Sequence, residues 1–306
     1  MNLKNKKFPI FLTGSTGLLG INFYMNYMKR DIYYLIHKKK INLKNKVSIN
    51  LEKIEEIIDF LKKKKIKTVI HAASFTNVDF IEKNKKLSFK NIYEITKNLS
   101  FACKKTNTKL IYISTDQLFS GLNKKYFENS KTSPLNYYGH LKKISEEIVL
   151  KKSKKNLVLR TNFFGFGTRY RKSFSDFIIN SLKDKKKINL VYDTFFSPVY
   201  VVTLVKIIFK LIKIDAHGVF NISCDDKISK YDFGIKISSR FKLNKNLIQP
   251  TKLDDLKLVK RPKNMFLSNS KLKKKLKIKK LTLDKEISKL KYDYMKRIHI
   301  KNIKVA

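Results

Sequence analysis

The sequence predicts an α/β fold, a doubly wound parallel sheet with a smaller, interleaved C-terminal domain. Three observations carry that prediction. Short β-branched or aromatic runs alternate with amphipathic helical stretches from residue 8 to residue 160, the pattern of parallel strands joined by crossover helices. The first run meets a glycine-rich turn, Gly14-Ser15-Thr16-Gly17-Leu18-Leu19-Gly20. Later runs end in small and hydroxyl-bearing residues, at the strand ends where open α/β sheets gather their ligands.

Residues 8–13 read as a buried strand and residues 21–28 as the helix beyond the glycine turn. In a dinucleotide-binding (Rossmann) unit, Gly14 permits the tight turn and Gly17 lets backbone approach a pyrophosphate. Gly20 lets helix and strand pack closely, and Thr16, Leu18 and Leu19 stand at the helix start, whose N–H groups face the anion. A plain βα turn is the alternative; the flanking strand and helix favour the cofactor. A second strand at 32–36 ends in His37-Lys38-Lys39-Lys40. Cations there suit the 2′-phosphate of NADPH, whereas an NAD site places a carboxylate near this point. NADPH is therefore expected, with NADH as the alternative.

The helix at 52–63 sets Ile54, Ile57, Ile58 and Leu61 at core spacing. The strand at 68–70 runs into His71, Ala72, Ala73, Ser74 and Thr76. These small residues suit a wall for a flat cofactor, and His71 reads as a buried, hydrogen-bonded residue rather than a base. A helix over about 87–104 leads to the strand at 109–113, which puts Thr115, Asp116 and Gln117 at a strand's C-terminal edge. The helix of Tyr138 follows, with Ser133-Pro134 as its expected cap, and then a strand at 157–160. Beyond Phe164 the pattern loosens into helices at 174–182, 202–213 and 230–241 and strands near 188–191 and 218–222. The expected division is a cofactor domain over 1–160, completed by about 188–222, and a substrate-binding domain over 161–187 and 223–306.

The 69 Lys+Arg against 24 Asp+Glu give a formal net charge of +45, which would suit nucleic acid or an anionic membrane. The lysines are scattered through amphipathic segments, as at 62–65, 185–187 and 273–275, and form no tail. No nucleic-acid partner is expected. Cys103 and Cys224 lie far apart without metal-ligand spacing, so the reading is a reduced, cytoplasmic compartment and no metal site. The apolar run at 8–12 is too short for an export signal. Residues 204–214 come closest to a membrane span, and Lys206, Lys210 and Lys213 break them.

The chemistry-bearing stretch is Tyr138-Gly139-His140-Leu141-Lys142. On a helix Tyr138 and Lys142 are i,i+4 neighbours, and a nearby ammonium favours a phenolate. Such a phenol can exchange a proton with a carbonyl oxygen near neutral pH. A lysine-rich chain makes chance pairs of this kind; the order of the surrounding motifs gives this one meaning.

Those motifs are residues 13–20, 72–79, 114–121 and 134–142, Asp193 with Ser197-Pro198, and Arg261-Pro262-Lys263-Asn264. In that order the chain resembles the extended short-chain dehydrogenase/reductases, and within them the dTDP-4-dehydrorhamnose reductase (RmlD-like) family. The resemblance implies NADPH-dependent reduction of the 4-keto group of a nucleotide-activated 6-deoxy sugar, for surface polysaccharide synthesis. It implies that Tyr138 donates the proton, that Thr115 hydrogen-bonds the same oxygen, and that Lys142 binds the nicotinamide ribose. Asn50 falls where the family has an acid against the adenine, and Asp116, Gln117, Phe163 and Ser197 fall near the sugar. Arg261 is implied to meet a nucleotide phosphate. Departures gather on the sugar side: Gln117 replaces an aromatic, Phe163 a tryptophan, Met265 a small residue, and 193–199 are bulkier than the family pattern.

A 4,6-dehydratase would need a carboxylate at position 117, and the amide of Gln117 cannot serve as that base. An epimerase on the same fold uses the same Tyr and Lys and stays open. So does a non-catalytic NADP-binding subunit resembling the methionine adenosyltransferase β subunit. A homodimer is the assembly left open.

Overall fold

The computed structural model describes residues 9–27, 31–36, 43–167 and 172–299. At its centre is a seven-stranded parallel sheet. From edge to edge the strands are Gly218–Ile222, Leu157–Thr161, Lys109–Thr115, Thr68–His71, Ile10–Thr13, Ile32–Leu35 and Lys46–Val47. The chain leaves Ile10–Thr13 toward one edge and returns on its other side at Thr68–His71. That reversal opens a crevice beyond the C-terminal ends of these two strands.

Side chains alternate across the sheet and feed two apolar layers. Ile10, Leu12, Ile70, Ile111, Leu157 and Leu159 join the layer of the helices Leu18–Tyr27 and Val201–Lys213. Phe11, Val69, Leu110, Tyr112 and Val158 join that of Ile54–Lys63 and Ile95–Lys105. Burial on both faces explains why these strands read as nearly continuous apolar runs. Among the described residues, no helix is long and apolar enough to cross a membrane.

Three expectations are corrected. The helix expected at 87–104 begins earlier and in pieces: Val78–Lys83, Lys85–Phe89, a π-helical turn over Lys90–Glu94, and Ile95–Lys105. The first piece starts at 78 because the Asn77 side chain accepts from the Phe80 N–H at 3.1 Å. The Tyr138 helix spans Tyr137–Lys152, and its cap is Asn136 rather than Ser133-Pro134. Asn136 is extended, and its Oδ1 accepts from the Gly139 N–H at 2.9 Å, which leaves Pro134 outside the first turn. Finally, of 188–222, Val201–Lys213 and Gly218–Ile222 do complete the sheet layers. Ile188–Val191 instead pairs with Ile248–Thr251 in a separate parallel ribbon.

Two more ribbons flank the sheet. Phe163–Phe164 pairs with Val199–Tyr200, and Phe195–Phe196 pairs with Ile228–Ser229. Phe195 also bridges Asn264 on its other edge. This small ladder carries the later motifs to the active-site side.

Candidate active site

The crevice between the first and fourth strands has a floor of bare main chain. Gly14 has φ +73°, and a Cβ there would lie 2.6 Å from the Ala72 carbonyl carbon. A Cβ on Gly20 would stand 2.5 Å from Ser15 Cα, so helix and strand meet at a distance no side chain allows. The turn is closed by the Gly17 N–H donating to the Gly14 carbonyl at 3.0 Å and Ser15 Oγ donating to the Leu12 carbonyl at 3.0 Å. Thr16, Gly17 and Leu18 are half-buried at the open side, while Leu19 and Gly20 are buried beneath them. A flat group with an anionic linker fits this cradle and the helix start above it.

The wall is held by a hydrogen-bond relay through His71. The Ala73 N–H donates to Thr13 Oγ1 at 3.2 Å, and Thr13 Oγ1 lies 2.7 Å from His71 Nδ1. His71 Nε2 lies 3.1 Å from Thr96 Oγ1, which donates to the Ile92 carbonyl. Because Thr96 uses its proton on Ile92, it accepts from Nε2–H, and Nδ1 accepts from Thr13. The ring is thus neutral and fully engaged. Burial, helped by the Lys142 charge, pushes its pKa down to about 3. It is the buried, hydrogen-bonded residue the sequence suggests. Ala72, Ala73 and Ser74 are half-buried and Thr76 is exposed along the same rim.

Asn50 is exposed, its Oδ1 accepting from the Glu52 N–H at 2.9 Å and its own N–H donating to Glu56 at 3.0 Å. His37 and Lys38 lie outside the described residues.

Tyr138 and Lys142 are both buried on the inner face of their helix. Lys142 Nζ donates to the Ile113 carbonyl at 2.7 Å and lies 4.0 Å from the centre of the Tyr112 ring. Burial lowers the Lys142 pKa to about 7, against the pull of Glu146. Glu146, one turn further, is locked to Arg160 at 2.8 Å, and Arg160 also donates to the Glu128 carbonyl at 3.1 Å. That buried ion pair fixes the helix against the strand Leu157–Thr161.

The lysine's anchor, Ile113, is two residues before Thr115 on one strand. Thr115 Oγ1 accepts from the Gln117 N–H at 3.2 Å and donates to Asp116 Oδ1 at 3.3 Å. Asp116 Oδ2 accepts from Asn162 at 2.8 Å, and burial raises the Asp116 pKa against the opposing pull of Lys230. Gln117 Oε1 accepts from Asn136 Nδ2 at 3.3 Å, and the same amide donates to the Lys260 carbonyl at 3.0 Å. The next residue, Arg261, pairs with Asp79 at the end of the 72–79 segment. So Thr115, Asp116 and Gln117 are tied through Asn136 to the start of the Tyr138 helix and to Lys260 beside Arg261, while Lys142 is held two residues upstream of Thr115 on the same strand.

Phe163 is half-buried at the edge of its ribbon. Ser197 is buried and its hydroxyl accepts from the Leu267 N–H at 3.2 Å, a tie within the fold apart from those around Thr115. Met265 is buried. Among the described residues, no group of three or more His, Cys, Asp or Glu could hold a metal ion.

Two participants were missed in the sequence. Asn162 follows the strand that ends at Thr161, and only that position hints at it. Lys230 opens the helix Lys230–Phe241, its ammonium 3.4 Å from the centre of the Phe196 ring and 5.1 Å from that of Phe174. Burial lowers its pKa to about 8, against Asp116 and with Arg261. One lysine among so many carries no signal of its own; the Ser229-to-Asp232 cap marks only the helix start.

A family model described as the RmlD substrate binding domain matches residues 8–294. A dTDP-4-dehydrorhamnose reductase of Aggregatibacter actinomycetemcomitans is 28% identical over 236 residues, covering 73% of this chain and 79% of its own. Methionine adenosyltransferase 2 subunit beta of Xenopus laevis is 24% identical over 270 residues, covering 86% and 81%. Among solved structures, dTDP-4-dehydrorhamnose reductase from Bacillus anthracis in complex with NADP superposes with a TM-score of 0.83 at 25% identity, covering 93% of this chain and 98% of that one.

Proposed function

The chain belongs to the RmlD substrate-binding-domain family, and from that premise we propose that it is an NADPH-dependent reductase of a nucleotide-activated 4-keto-6-deoxy sugar. The observation that carries the reading is the buried Tyr138–Lys142 pair, tied through Ile113 to the strand that ends in Thr115. The cradle at Gly14, Gly17 and Gly20, with the wall at Ala72 and Ala73, would hold the dinucleotide. NADPH, when bound, supplies the hydride to the carbonyl carbon.

Tyr138 gives its phenol proton to the carbonyl oxygen, which stays on the reduced carbon as the hydroxyl of the product alcohol. Lys142, held at the Ile113 carbonyl, stabilises the phenolate so formed and stands ready for the nicotinamide ribose. Thr115 Oγ–H, now on a long bond to Asp116, turns to the same oxygen and stabilises its developing charge. Asp116 and Gln117 line the sugar side with Phe163, and Arg261 meets a phosphate. The division of labour is a cofactor part over 1–160 with Val201–Lys213 and Gly218–Ile222, and a substrate part over 161–187 and 223–306, which Ile188–Val191 joins by pairing with Ile248–Thr251.

Loss of NADPH absorbance, scanned over dTDP-, UDP- and GDP-linked 4-keto-6-deoxy sugars with Tyr138→Phe as control, tests this reading. Turnover with one of them that vanishes in the variant supports it. No turnover, while NADPH still raises the melting temperature, favours a binding subunit like the methionine adenosyltransferase relatives. Placement in the cytoplasm is supported by Cys103 and Cys224, both free and buried. The scattered lysines are read as solvated faces, and elution through a salt gradient without nucleic acid checks that.

A further inference from the structure

Lys230 and Arg261 are brought to one place by the ladder around Phe195–Phe196. Ile228 pairs with Phe196 and Ser229 with Phe195 along one edge. Along the other, the Phe195 N–H donates to the Lys263 carbonyl at 2.7 Å and its carbonyl accepts from the Met265 N–H at 2.8 Å. Lys230 follows Ser229 directly, and Arg261 precedes the bridged Asn264 by three residues. The short strand therefore has Lys230 at the end of one neighbouring segment and, on its other edge, the segment that Arg261 leads into.

Neither has its full set of partners. The Lys230 ammonium rests on the rings of Phe196 and Phe174, and makes no hydrogen bond or ion pair among the described residues. Arg261 engages Asp79 through Nη2, while its Nε is buried without a partner. Asp116, the carboxylate whose field reaches Lys230, is occupied by Thr115 and Asn162. The two cations also repel each other. Like charges near one another cost free energy that an anion between them offsets.

We infer that Lys230 and Arg261 jointly hold an anionic oxygen group of the substrate, phosphate or carboxylate in type, on the side of Lys230 away from Asp116. The identity of that substrate rests on the sugar-nucleotide reading. The group is then either the diphosphate that joins sugar to nucleoside or a carboxylate borne by the sugar. Lys230 thereby becomes a specificity-determining residue, its ammonium supported by the Phe196 and Phe174 rings.

The test is calorimetric titration of the full-length protein with pyrophosphate, dTDP, UDP-glucose and UDP-glucuronic acid. Wild type, Lys230→Met, Lys230→Arg and Arg261→Gln are compared, with NADPH binding as the folding control. Loss of one charge-assisted contact predicts about tenfold weaker pyrophosphate and dTDP binding in Lys230→Met and in Arg261→Gln. Lys230→Arg stays near wild type, and NADPH binds all four proteins alike. If the carboxylate is the bound group, pyrophosphate affinity is unchanged and a preference for UDP-glucuronic acid over UDP-glucose collapses in Lys230→Met. Equal affinity of wild type and Lys230→Met for every anion, with NADPH binding intact, overturns the inference. Should Lys230→Met fail to bind NADPH, Lys230→Gln takes its place in the same comparison. Pyrophosphate binding needs no turnover, so a failure to reduce keto-sugars would sink the proposed function without blurring this result.

Discussion

Around Ile10–Thr13 the molecule presents bare main chain, whereas around Phe195–Phe196 it presents charged side chains. The first region depends on contacts that leave no room for a Cβ at Gly14 or Gly20. The second depends on Arg261 with Asp79, Lys230 near Asp116, and Asn136 reaching Gln117. Main-chain sites tolerate almost no substitution, so they stay recognisable; side-chain sites can be retuned one residue at a time. The departures from the family pattern lie at side-chain positions, 50 on the cofactor side and 117, 163, 193–199 and 265 on the sugar side, and none falls on the glycine turn.

The contrast can be broken or sharpened by substitution. Tyr138→Phe removes the phenol hydroxyl of the proposed proton donor and leaves the ring in place. Turnover is expected to fall by about 10²–10⁴-fold or more, with NADPH affinity unchanged in a fluorescence titration. Glu146→Gln leaves Arg160 as a buried, unpaired cation, at a cost of about 3–5 kcal/mol. Urea unfolding should show it, and a loss under 1 kcal/mol would mean the joint between helix and sheet is not where the ion pair puts it.

Gly14→Ala forces a left-handed backbone and a 2.6 Å clash, at about 2–4 kcal/mol. NADPH binding should go with it, while affinity for a nucleoside diphosphate stays; loss of both equally would erase the distinction between the regions. Lys142→Met should stabilise the empty fold by about 2–4 kcal/mol at pH 6, although it removes activity. The sign follows from burial: the native pKa of about 7 lies below the unfolded lysine value. The charge therefore destabilises fully below pH 7, and less as pH rises toward the unfolded value of about 10.4. Parallel unfolding curves across that range would refute it. Asn136→Ala, which removes one helix cap, is worth about 1 kcal/mol and a melting shift of a few degrees.

How much of this was legible follows the same line. The glycine turn and the small-residue wall are backbone requirements that residue type reveals, and the Tyr138–Lys142 spacing is legible from the order of the motifs around it. The cap was misread because Ser133-Pro134 and Asn136 are both credible starts. Only the extended conformation of Asn136, set by Gln117 and Lys260 from distant segments, decides between them. The π-helical turn at Lys90–Glu94 has no sequence mark. Ile188–Val191 looks like any sheet strand, and its pairing with Ile248–Thr251 depends on a partner some sixty residues away. Lys230 was invisible because its meaning lies in the rings beneath it.

The two-residue strand Phe195–Phe196 has a consequence for motion. Hydrogen-bonded along both edges, it fastens the segments at 228–230 and 263–265 to each other as well as to itself. Such a piece opens cooperatively or stays shut. The amides of Phe195, Lys230 and Met265 should therefore exchange with solvent deuterium at one common rate, set by a single local opening. That opening would loosen the segments at 228–230 and 263–265 together while the turn at Gly14 and Gly20 keeps its own contacts, so the two regions can move independently.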